Sequence, residues 1–84
     1  KLYNNYPNPF NPATRISFDI PEEGTVKLEV FNILGETIDE IIYNNLKAGR
    51  YSYMFDASNF ASGIYIYKIT VNGFSDIKKM VLIK

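Results

Sequence analysis

The chain has 84 residues, nine basic and nine acidic side chains, and no His, Cys or Trp. That is one small domain, with no disulfide framework, no Cys or His metal set, no imidazole base and no thiolate nucleophile. A net charge of zero gives no reason to expect nucleic acid or an anionic membrane as partner, and no run of about 18 apolar residues is present to span a bilayer.

A domain of this size buries only about 60–65% of its unfolded surface, so seven Tyr and six Phe must fill the core efficiently. Seven of the nine acids (Asp19, Glu22, Glu23, Glu29, Glu36, Asp39, Glu40) precede residue 41, whereas Lys68, Lys78, Lys79 and Lys84 lie near the C-terminus. Ordinary solvated strand faces explain this asymmetry; a basic edge meant for a partner is the sharper reading. Lys1 opens directly on a polar segment with neither Met nor signal peptide, as expected of a domain cut from a larger protein.

Tyr6 to Pro12 holds three prolines, which fix φ and drive each preceding residue towards extended backbone. This segment, with Tyr6 and Phe10 on a stiff backbone, is excluded from any central strand and suits a cover over a sheet edge. Arg15–Ile20 alternates, Ile16, Phe18 and Ile20 on one face, as a half-buried strand does. Pro21-Glu22-Glu23-Gly24 is a turn, and its paired carboxylates are read as exposed turn residues. Thr25–Phe31 resumes the alternation with Val26, Leu28 and Val30 inward, and Asn32–Gly35 reverses the chain.

Glu36–Asn44 is a less regular strand. Ile38 and Ile41 fall out of phase, so Asp39-Glu40 marks a bulge or an edge. A helix is the rival reading there, opposed by β-branched content and missing caps. After the turn Leu46–Gly49, Tyr51, Tyr53 and Phe55 share a face, and Phe60 in the loop Ala57–Ser62 is expected to plug the end of the core. Ile64–Val71, Asn72-Gly73 and Met80–Ile83 form a terminal hairpin whose central dipeptide accepts positive φ at both positions. The pattern is all-β, an antiparallel Ig-like β-sandwich of about seven strands, with Tyr65 placed as a tyrosine corner after Ser62-Gly63.

No catalytic constellation, phosphate loop or metal-ligand spacing occurs, so an enzyme is not expected and no cofactor is implied. Two non-catalytic classes remain. One is a carbohydrate-binding module of an extracellular enzyme, using exposed rings among Tyr3, Tyr6, Tyr43, Tyr51, Tyr53, Tyr65 and Tyr67. Most of these sit within strand alternation, where core packing is the stronger explanation. The other is an interaction or sorting module read by another protein.

In order, the chain carries Tyr6-Pro7-Asn8-Pro9-Phe10-Asn11-Pro12-Ala13-Thr14, Ile16–Pro21, Asn32-Ile33-Leu34-Gly35, Ala48-Gly49, Ala61-Ser62-Gly63-Ile64-Tyr65 and Lys79-Met80-Val81-Leu82-Ile83-Lys84. This ordered set resembles the type A C-terminal sorting domain of the type IX (Por) secretion system of Bacteroidetes and neighbouring Gram-negative groups. Asn4-Asn5 stands where many members carry Gln-Asn.

The resemblance implies an Ig-like domain, 1–84 with an extended Pro-rich segment over 1–14 and the sandwich over 15–84, behind a larger cargo. It also implies transit through the periplasm, recognition by an outer-membrane translocon, and a sortase that removes the domain at or upstream of Lys1, leaving cargo at the cell surface or in the medium. Carried over by motif, the expected recognition residues are Pro7, Asn8, Pro9 and Phe10; Gly63 and Tyr65; and Lys79, Met80, Val81, Leu82 and Lys84. The terminal strand is the expected read-out, an edge whose free N–H and C=O groups accept an added strand. Met80 and Leu82 have the competing reading of simple core residues.

Overall fold

Alternation of apolar and polar side chains sets the architecture in the computed structural model, which describes residues 1–84. Six strands form: β1 (Ala13–Ile20), β2 (Gly24–Phe31), β3 (Thr37–Leu46), β4 (Gly49–Asp56), β5 (Gly63–Val71) and β6 (Phe74–Leu82). β1 pairs with β4, and the other four lie in the order β3-β2-β5-β6, every pairing antiparallel. The two sheets share one core. β1 and β4 give it Ile16, Phe18, Ile20 and Phe55, while Val26, Leu28, Val30, Tyr67, Ile69, Met80 and Leu82 come from the larger sheet. Phe60 stacks on Phe55 at 6.1 Å and closes one end of the core.

The segment expected as a seventh strand is not one. Residues 2 to 10 form only isolated bridges, because Pro7, Pro9 and Pro12 have no N–H to give a continuous ladder. Its first part lies antiparallel on the open edge of β1. Tyr3 and Tyr6 donate N–H to the carbonyls of Ser17 and Arg15 (both 3.0 Å), and Arg15 returns a bond to Tyr6 (2.9 Å). Its second part crosses to the larger sheet, where Phe10 bridges Leu82 in parallel. Leu2 and Phe10, each 2% exposed, pin the two parts into the core.

β3 is an edge strand rather than a helix. The pairings Val30↔Asp39 and Phe31↔Thr37 leave Ile38 as an extra residue, so the irregularity falls beside the acidic pair. The last turn follows the dipeptide rule: Asn72 and Gly73 take φ of 48° and 77° between the paired Val71 and Phe74.

Candidate recognition site

Residues from the two ends of the chain meet at one corner of the larger sheet. Phe10 donates its N–H to the Val81 carbonyl (2.9 Å), and Ile83 donates to the Phe10 carbonyl (3.0 Å). Asn8 completes the contact, its Oδ1 accepting the Val81 N–H at 3.0 Å. Pro7 and Pro9 are the stiff flanks that hold Asn8 at this edge. The Phe10 ring is buried, meeting Phe55 edge-on at 6.2 Å.

Gly63 and Tyr65 stand beside this corner, paired across β5 and β6 with Leu82 and Met80. Tyr65 donates its hydroxyl to the Ala61 carbonyl at 2.6 Å, the tyrosine-corner bond. A Cβ on Gly63 would meet nothing within 4 Å, but its φ of 156° is one that L side chains rarely adopt. Backbone conformation, not space, is what Gly63 contributes.

The terminal residues divide by exposure. Met80 and Leu82 are 0% and 1% exposed, so their side chains belong to the core and are out of a partner's reach. Val81 is half-buried, and Lys79 and Lys84 are exposed. Lys84 is tethered: its N–H donates to Ser62 Oγ (3.0 Å) and its Nζ to the Ser58 carbonyl (2.6 Å). Asp56, at the end of β4, borders this loop, and its carboxyl lies below its usual range because the Ser58 hydroxyl and N–H donate to it.

A second cluster was not legible in the sequence. The buried Tyr67 hydroxyl accepts the Asn5 N–H and donates to the Tyr3 carbonyl, both at 2.8 Å. Burial drives its pKa up to about 12, opposed by the donated Asn5 N–H. Asn5 Nδ2 donates to Thr14 Oγ1 (3.0 Å) and to the Pro7 carbonyl (3.2 Å), and Thr14 donates to that carbonyl too (2.8 Å). This network fixes the approach of the Pro-rich segment to the sheet.

Of the seven tyrosines, Tyr6 alone exposes its ring, at 80%; the others are buried or half-buried. Tyr53 is typical, donating its hydroxyl to Asp39 Oδ2 at 2.6 Å and so tying β4 to β3 across the sandwich. That bond and burial push its pKa up to about 12. The Tyr3 hydroxyl meets Asp19, whose carboxyl the Arg50 guanidinium holds below its usual range, with Tyr3 adding to the effect. No group of three or more acidic side chains converges as a metal set would, and the chain has no helix long and apolar enough to cross a membrane.

The corner thus combines an edge strand, a tyrosine corner and two exposed lysines, of which Lys84 is tethered to the Ser58 carbonyl. The family model described as "Secretion system C-terminal sorting domain" matches residues 4–84. No curated protein matches the chain.

Proposed function

Because the chain belongs to the C-terminal sorting domain family of the type IX secretion system, we propose that it addresses a larger cargo protein to that export machinery. On this reading the domain is Ig-like, with the Pro-rich segment standing where a seventh strand would complete the sandwich. It is a non-catalytic address label. It passes through the periplasm with its cargo, is read by translocon and sortase proteins of the outer membrane, and leads the cargo to the cell surface or the medium.

One observation carries this reading. Asn8 and Phe10, Gly63 and Tyr65, and Lys79 to Lys84 come from three separate stretches, yet they line one corner. Recognition beside that corner uses the ammonium groups of Lys79 and Lys84 and the open backbone edge that begins at Lys79, since Met80 and Leu82 are enclosed and the outward groups of Val81 are already bonded to Phe10 and Asn8. Core residues supply the shape, and exposed groups supply the address.

The experiment is a fusion of residues 1–84 behind a periplasmic reporter in a type IX-competent host. Release of the reporter outside the cell is expected, with no release in a host lacking the system. A reporter that stays periplasmic while the domain is folded overturns the reading.

A further inference from the structure

Hydrogen bonding divides the outer edge of β6 into a closed part and an open part. Val81 points both backbone groups away from β5, since its carbonyl accepts from Phe10 and its N–H donates to Asn8. Strand alternation then puts Ser75, Ile77 and Lys79 in the same outward set. No strand pairs with these three; only the Asp76 carboxylate reaches one of them, accepting the Ile77 N–H at 2.8 Å. The open stretch is bounded by the Asn72-Gly73 turn at one end and by the Pro-rich segment at the other. Ile77 is its midpoint, with a side chain 58% exposed.

Set antiparallel to itself about Ile77, this stretch is self-complementary. Ser75 falls opposite Lys79, Ile77 opposite Ile77, and Asp76 opposite Lys78. Directly opposed residues share a face, so each carboxylate meets the other copy's ammonium on one side and the two Ile77 side chains meet on the other. The outward N–H and C=O groups of Ser75, Ile77 and Lys79 take the hydrogen-bonded positions of this register. Neighbouring registers that keep those groups paired oppose Asp76 to Asp76 or Lys78 to Lys78, which like charge disfavours.

We propose that β6 pairs antiparallel with β6 of a second copy of this chain, centred on Ile77, joining the two four-stranded sheets edge to edge. A contact this short makes a weak dimer, populated only at high concentration. Asp76 changes partner on pairing, from its neighbour's N–H to the other copy's Lys78. The proposal stands apart from the export reading, because it concerns the purified chain alone. The dimer does occupy part of the edge that the export reading assigns to recognition.

The chain has no cysteine, so single replacements report the register directly. Under mild oxidation Ile77→Cys is expected to give a disulfide dimer, because opposed Cα atoms about 5.5 Å apart suit that bond. Ser75→Cys alone should stay monomeric, while an equimolar mixture of Ser75→Cys and Lys79→Cys should cross-link. In sedimentation of cysteine-free protein, Asp76→Lys should weaken association about five- to tenfold. Adding Lys78→Asp should restore it, with circular dichroism confirming that each variant is folded. Equal cross-linking at Ser75→Cys and Ile77→Cys, failure of the double charge exchange to restore association, or a wild-type chain monomeric at millimolar concentration would each overturn the proposal.

Discussion

The first and second halves of β6 follow opposite rules although they lie on one strand. From Phe74 to Lys79 the side chains are exposed or half-buried and the outer backbone edge is open. From Met80 to Leu82 two of three side chains are buried, and the edge is closed by Asn8 and Phe10. The difference comes from the partner layer, not from the strand. The Pro-rich segment crosses between sheets and covers only the end of β6 where Phe10 can enter the core. The closed half therefore contributes buried side chains to the core, and the open half, with Lys79 at the boundary, leaves backbone and side chains accessible.

Substitutions in the closed half should have the largest effects on folding. Phe10→Ala removes a ring that is 2% exposed, and urea denaturation should show a loss of about 3–5 kcal/mol. It should also uncover the edge at Val81, detectable as faster amide exchange there than in Leu2→Ala. Met80→Ala and Leu82→Ala should each cost about 2–5 kcal/mol. Both should lower export only in proportion to the fraction unfolded; an export defect at full folding would show that these side chains are read directly. Tyr65→Phe keeps the ring and removes the corner hydrogen bond, for an expected loss of about 0.5–1.5 kcal/mol.

Two tyrosine hydroxyls outside β6, on β4 and β5, make the fold sensitive to alkali. Tyr53 and Tyr67 have folded-state pKa values raised from 10.0 to about 12, so the folded chain holds their protons where the unfolded chain loses them. Their contribution is complete below pH 10 and disappears as pH rises towards about 12. Denaturation midpoints should fall across that window, and Tyr53→Phe with Tyr67→Phe should flatten the fall while lowering stability at neutral pH. An equally steep fall in the double variant would place the alkaline sensitivity elsewhere.

The sequence carried the elements better than their meeting places. Ile16-Phe18-Ile20 and Val26-Leu28-Val30 announce their strands because period-two burial is local information, and Asn72-Gly73 announces its turn through its own φ preferences. Ser62-Gly63 placed Tyr65 correctly for the same reason. Sheet order is not local, and neither is the bond between Asn8 and Val81, which joins opposite ends of the chain. The Tyr67 hydroxyl was hidden for a related reason. Its partners are backbone groups of Tyr3 and Asn5, which leave no mark on side-chain pattern. Proline gave a half-answer: it excluded a regular strand over residues 7 to 12 but did not show which edges the segment covers.

The smallest expected change in stability belongs to the most informative variant, Lys79→Ala combined with Lys84→Ala. Both side chains are exposed, so each replacement should shift stability by no more than about 0.5 kcal/mol. The decisive measurement is export of a reporter fused to this variant, with its melting curve recorded on the same protein. Retention in the periplasm at unchanged melting is the expected result. Export at the wild-type level would contradict the claim that exposed groups at the end of β6 are what the machinery reads.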